Sequence, residues 1–231
     1  MGGKNIKSGH DGEGKYMKTN GDDRKNVRIP INLVHLDGIL NLPKGASGVV
    51  IFAHGSGSSR FSPRNNFVAR ILRDAKLGTL LFDLLTEEED SVYDTRFDIN
   101  LLAQRLAIAT DWLLNQPETR SAKIGYFGAS TGAAAALQAA AEMGSVVSAI
   151  VSRGGRPDLA MRYLPKVRAP TLLIVGGHDE EVIELNRFAY NEIRCEKYLA
   201  IITGATHLFE EPGKLEEVAI LAKEWFLKYL Q

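Results

Sequence analysis

The chain has one cysteine, Cys195, in 231 residues. An intramolecular disulfide is therefore excluded, which agrees with a reducing compartment and an expected cytoplasmic location. Excess charge of either sign is also missing, since 28 lysines and arginines stand against 28 aspartates and glutamates. That balance gives no electrostatic reason to expect nucleic acid or an anionic membrane as partner. No apolar run approaches the roughly 20 residues that span a bilayer, and the N-terminus lacks the apolar stretch of a secretory signal. The acidic run at residues 87–90 has no partner histidines and reads as a solvated loop. No other spacing resembles a zinc motif, so no metal is expected.

What is present is apolar material, 45% of the chain, enough for one sizeable core. Residues 1–26 are glycine-rich and charged, with almost no large apolar side chains. Such a stretch cannot offset its ordering entropy by burial and reads as a flexible tail or cloning remnant. Residues 27–231 read as one domain. Strands are expected at 27–33, 34–42, 48–53, 79–82, 123–127, 147–151, 171–175 and 198–202, the first two antiparallel. Helices are expected at 63–76, 99–114, 131–143, 184–193 and 214–230. This alternation predicts an α/β fold, a mostly parallel sheet with helices on both faces. Ligands of such sheets bind beyond the carboxyl ends of the strands, so the loops there are where chemistry is expected.

One of those loops reads Gly128-Ala129-Ser130-Thr131-Gly132, a G-x-S-x-G set between a strand and a helix. A nucleophile on so sharp a turn sits on strained backbone, and glycines on both flanks remove the clashes that side chains would cause. The helix behind Ser130 offers a free N–H at Thr131 and a favourable dipole. The bland alternative is a serine that caps a helix. An earlier strand runs into His54-Gly55-Ser56-Gly57-Ser58-Ser59. The N–H of Ser56, paired with that of Thr131, is the expected oxyanion hole. The same loop could instead be a flexible glycine-serine turn or a phosphate cradle, but no G-x-x-x-x-G-K-[ST] pattern supports the latter. His54 is expected to be structural.

A serine hydroxyl needs a base, and the base needs an acid to orient it. Asp179 follows the strand at 171–175, and His207 follows the strand at 198–202. Both fall on the rim that carries Ser130, in the chain order Ser, Asp, His. Glu180 and Glu181 are expected in the next helix facing solvent. His178 would serve as base only if the chain doubled back, and His10 and His35 lie away from this rim. Downstream of the sixth strand, Arg153 and Arg156 are candidate holders of a substrate carboxylate or phosphate. The alternative is that one of them pairs with Asp158. Arg60 and Arg64 are weaker candidates for the same task. Residues 152–169 leave space for one short helix near 157–163, so no large lid is expected. The site should be shallow and suited to small or polar acyl groups.

The segments HGSGSSR, FGASTGAAAAL, VGGHDE and GATHLFEEPG resemble the dienelactone-hydrolase-like branch of the α/β-hydrolase superfamily, over nearly all of the chain from Val27. The resemblance implies an eight-stranded sheet whose second strand is antiparallel. It also implies cleavage of esters or lactones through an acyl-enzyme, with no metal or organic cofactor. One departure matters. Dienelactone hydrolases carry cysteine at the nucleophile position, and this chain has Ser130, so the substrate name does not transfer. Cys195 precedes the strand leading to His207 and should lie at the opposite end of the sheet, about 20 Å away at ~3.3 Å per residue, as a packing residue. The expectation is thus a serine hydrolase acting on a small-molecule ester or lactone. The alternatives are an acyltransferase or perhydrolase with the same triad, and a non-catalytic ligand-binding module on the same fold.

Overall fold

A computed structural model describes residues 24–231. Eight strands form one sheet: β1 (Arg24–Ile31), β2 (Val34–Asn41), β3 (Gly48–Ala53), β4 (Gly78–Phe82), β5 (Lys123–Ala129), β6 (Val147–Arg153), β7 (Thr171–Gly176) and β8 (Lys197–Ile202). Their spatial order is β1-β2-β4-β3-β5-β6-β7-β8. β2 runs antiparallel to both of its neighbours, and β3 to β8 run parallel. This is the α/β-hydrolase arrangement that the sequence predicts.

The central strands are buried on both faces, which is why they read as unbroken apolar runs. Along β3, Val49 and Ile51 pack into one core cluster. Val50 and Phe52 pack into the cluster on the other face. The first face is covered by α3 (Ile99–Leu114), α4 (Thr131–Met143) and α5 (Glu180–Glu192). The second is covered by α1 (Pro63–Asp74) and α6 (Lys214–Leu230). Fully buried Tyr126 illustrates how a polar tip is accommodated: its hydroxyl meets Thr110 Oγ1 at 2.7 Å, so burial leaves no orphan.

Two differences from the sequence reading have physical causes. Strand β1 begins at Arg24, inside the stretch expected to be a tail. Arg24, Lys25 and Asn26 pair with Asn41, Leu40 and Ile39, and Lys25 meets Glu118 at 2.8 Å. An edge strand tolerates such polar residues because one side faces solvent. The rest of that expected tail, residues 1–23, lies outside the described residues. The acidic run expected as a loop is a short helix, α2 (Glu87–Ser91). A capping box forms it: Thr86 accepts from the Glu89 N–H at 3.2 Å while the Glu89 carboxylate accepts from the Thr86 N–H at 2.9 Å. Glu89 also holds the buried Arg105 at 2.5 Å. After β6 a short 3-10 segment, Pro157–Lys166, broken by a kink at Ala160, occupies the space where a lid would be inserted. No helix among the described residues is long and apolar enough to cross a membrane.

Candidate active site

Ser130 sits between β5 and α4 at φ 52° and ψ −122°. A non-glycine residue held at positive φ costs about 1–3 kcal/mol, and it persists only where the surroundings enforce it. Here they do. A Cβ at Gly128 would fall 2.4 Å from Ala133 Cα, and one at Gly132 would fall 2.2 Å from the Ala53 carbonyl. Both flanking positions therefore accept only glycine, which explains the spacing of the motif. The serine's own backbone is tied down as well. Its N–H donates to the Arg153 carbonyl at 3.2 Å, and its carbonyl accepts from the Arg156 N–H at 3.1 Å.

His207 lies in the turn after β8 and Asp179 directly before α5. Their side chains meet, Nδ1 to Oδ2, at 2.6 Å. With Asp179 ionised, Nδ1 carries the proton and donates it, which leaves Nε2 with a lone pair. The end of β6 joins this pair to the serine. Arg153 bonds the Ser130 backbone, and a Cβ at the next residue, Gly154, would lie 3.4 Å from the His207 ring. All three residues therefore share the carboxyl rim of the sheet. No hydrogen bond joins the Ser130 hydroxyl to His207 among the described residues. Glu211 steadies the His207 turn by accepting from the Thr206 N–H at 3.1 Å and from its hydroxyl at 2.6 Å.

The loop at residues 54–59 abuts the serine: a Cβ at Gly55 would lie 3.1 Å from Ser130 Cβ. The Ser56 N–H donates to Thr131 Oγ1 at 2.9 Å. Ser56 and Thr131 are thus brought together, but with that N–H already engaged. The Thr131 N–H, at the first position of α4, has no intrahelical acceptor. His54 stands behind this loop with both ring nitrogens in use. Nε2 accepts from the Leu84 N–H at 3.0 Å, so Nδ1 is the donor to the Gly55 carbonyl, also at 3.0 Å. This is a neutral imidazole tying the loop to the end of β4, the structural role expected of it. Burial is the main cause that pulls its pKa below the ordinary histidine value; the Gly55 bond and the charges of Asp83 and Asp90 oppose it. The unfolded chain therefore takes up this proton first on acidification. The associated stability is present above about pH 6.5 and is lost as pH falls from there towards the lower folded value. In His54→Gln, whose amide oxygen can still accept from Leu84, the loss of stability between pH 7 and pH 5.5 should be shallower by urea unfolding. An identical slope in both proteins would contradict this reading.

The four arginines fare differently. Arg156 is held by Asp158 in a fork at 2.8 and 2.7 Å, and that carboxylate raises its pKa. Arg60 is bound to Asp83 through both its side chain and its backbone N–H. Arg64 reaches Glu210 at 3.1 Å. Arg153 is 5% exposed and meets no acid among the described residues. Its guanidinium lies 5.9 Å from the centre of the Phe209 ring. Burial, reinforced by Arg64, lowers its pKa to about 10, so it remains a cation at neutral pH. Cys195 is half-buried at the other end of the sheet and donates to the Ala169 carbonyl at 3.0 Å. His178 is exposed, and Glu180 and Glu181 are exposed in the first turn of α5; His35 is exposed on β2. His10 lies outside the described residues.

The model of the dienelactone hydrolase family matches residues 36–228. This chain belongs to the dienelactone hydrolase family. A crystal structure of dienelactone hydrolase from Anabaena variabilis is 56% identical, covers 92% of this chain and all of its own, and superposes with a TM-score of 0.90. Est1E from Butyrivibrio proteoclasticus is 17% identical, covers 88% of this chain and 98% of its own, and has a TM-score of 0.76, which is a likeness of fold alone. A protein of Mycobacterium tuberculosis named "Putative phosphoribosyl transferase" is 55% identical over 204 residues, 88% of this chain and 46% of its own length. This family member thus spans about half the length of the curated relatives it matches.

Sequence reasoning missed several site features. Phe209 adopts φ 57°, and nothing in its residue type signals that. The segment from Glu87 to Phe97 stands over the loop at residues 54–59, with Arg96 Nη1 3.7 Å from the Cβ position of Gly57. The spacing of Thr86 and Glu89 could have revealed its helix. Beside the loop a cleft of about 10 Å³ opens between His54, Ser56, Leu85, Arg96 and Leu102.

Proposed function

We propose that this chain is a serine hydrolase that cleaves small esters or lactones through an acyl-enzyme on Ser130. The observation that carries the reading is the enforced positive φ of Ser130 at the strand-to-helix turn. Strained backbone of this kind clusters at active sites, and at a strand-to-helix turn it presents the serine hydroxyl to the rim of the sheet.

In this mechanism Ser130 Oγ attacks the substrate carbonyl as His207 Nε2 takes its proton. Asp179 holds the imidazole in the tautomer whose Nε2 is free and stabilises the cation that forms. The developing oxyanion accepts from the Thr131 N–H, aided by the positive end of α4. Ser56 contributes its N–H once the substrate replaces Thr131 Oγ1 as acceptor. His207 then returns the proton to the leaving alkoxide, which departs. Water repeats the cycle on the acyl-enzyme and frees the acid.

The short segment after β6, Pro157–Lys166, is too small to be a lid and supports a small or polar acyl group. Rates on a series of 4-nitrophenyl esters should be highest for the shortest acyl chains and fall as the chain lengthens. A clear preference for long chains would contradict the assignment of substrate size.

A further inference from the structure

A cavity of about 700 Å³ lies at the end of the sheet opposite the triad, where β7 and β8 begin. That volume is within the range of small-molecule sites. Three cations line it, Lys166, Arg168 and Arg194, against one carboxylate, Glu142. It is remote from the carboxyl rim: at ~3.3 Å per residue, the length of β7 sets it roughly 20 Å from Asp179.

Its placement follows from the parallel register. Thr171, at the start of β7, stands opposite Lys197, at the start of β8. Arg168 precedes the first by three residues and Arg194 precedes the second by three, so they occupy equivalent positions on neighbouring connections. Contacts between those connections hold them side by side. The Thr171 N–H donates to the Glu196 carbonyl at 2.9 Å, and the Cys195 thiol donates to the Ala169 carbonyl at 3.0 Å. Lys166 ends the 3-10 segment just upstream, and the end of α4 contributes Glu142.

The positive charge here is unanswered within the chain. Arg168 and Arg194 are exposed and meet no acid among the described residues. Lys166 has the face of the Tyr163 ring, 5.9 Å away. Glu142 is itself engaged by Gln138 at 3.1 Å. Like charges gathered around one concavity focus their field on whatever enters it. A phosphate group suits such a place better than a carboxylate, because it brings about two charges and three acceptor oxygens to one point. Guanidiniums bind it in a fork. Pro165 and Val167 add apolar lining for the body that carries the phosphate.

We propose that this cavity is a second binding site, separate from the triad, which takes a small molecule bearing phosphate groups held by Arg168, Arg194 and Lys166. The site does not depend on the hydrolase reading, since its ligand neither meets nor displaces an ester at Ser130.

Cys195 makes the site directly readable. It is the chain's one cysteine and lines this cavity half-buried, so the rate at which N-ethylmaleimide alkylates it reports occupancy there. Pyrophosphate, adenosine diphosphate and citrate are tested separately, at ionic strength matched with chloride. Each is scored for slowing of the alkylation and for protection against thermal unfolding. Pyrophosphate and adenosine diphosphate should do both at millimolar concentration or below. In the double variant Arg168→Gln with Arg194→Gln, the half-saturating concentration should rise roughly tenfold or more, as expected for the loss of charge-assisted contacts. Both side chains are exposed, so the unfolding midpoint of that variant without ligand should match the parent's. No slowing by any anion beyond that of chloride overturns the proposal; this is the result expected if the cations only complement the carbonyl ends of α4 and α5. Slowing by citrate alone, or slowing undiminished in the variant, overturns it as well. So does protection against unfolding with no change at Cys195, because the anion then binds elsewhere. Should Cys195 react too slowly to follow, amide exchange of residues 166–168 and 194–196, with and without pyrophosphate, carries the same comparison.

Discussion

Ser130→Ala is expected to lower kcat for an activated short ester by about 10⁴- to 10⁶-fold, the range seen when a nucleophile acting with its base is removed. The fold should survive the change. Alanine keeps the same Cβ, so the backbone at φ 52° is no more strained than with serine. The flanking glycines, the bond to the Arg153 carbonyl and the start of α4 are untouched. Loss of turnover with an unaltered unfolding midpoint would therefore report on chemistry and not on folding. Residual activity within tenfold of the parent, in protein free of contaminating esterase, would mean that the hydroxyl at this turn is not the nucleophile.

The second large effect is expected at Asp179. In Asp179→Asn the new amide can donate to His207 Nδ1, which is accepted only if the imidazole moves its proton to Nε2. The ring would keep its place, at a separation close to the 2.6 Å of the parent pair, but it would present a donor to Ser130 where an acceptor is needed. A fall in kcat of about 10⁴-fold is predicted, with KM far less affected because the acid does not touch substrate. A drop of only a few-fold would show that His207 is oriented by something else. The pairing would then be a structural contact at the sheet edge.

Both effects concern residues that were legible in the sequence, and for a local reason. The elbow is five consecutive residues whose glycines are demanded by contacts at 2.2 and 2.4 Å, so its constraint is written next to it in the chain. Asp179 and His207 each follow an unbroken apolar strand, and parallel strands carry such ends to one rim. The arginines were not separable in this way. Arg153 and Arg156 lie three residues apart in one glycine-rich stretch. What distinguishes them is that Arg156 closes a fork onto Asp158 two residues on. Arg153 is instead the last residue of β6, on the side where no acid among the described residues meets it. The alternation of Ala149, Val151 and Arg153 announces that side, but it does not say that Phe209 sets its ring there. That is a tertiary fact. The engagement of the Ser56 N–H by Thr131 Oγ1 is likewise set by two loops 75 positions apart, and no local pattern encodes it. The helix at Glu87–Ser91 was readable, because Thr86 and Glu89 have the spacing of a capping box; its run of acids resembled a solvated loop instead.

The central claim is that the hydroxyl at position 130 is an activated nucleophile. Reaction of the purified chain with a fluorophosphonate, followed by mass spectrometry of its peptides, tests this most directly. The account predicts one adduct, on Ser130, that forms rapidly in the parent and barely at all in His207→Ala. An unlabelled parent chain, or an adduct at any other residue, would contradict it.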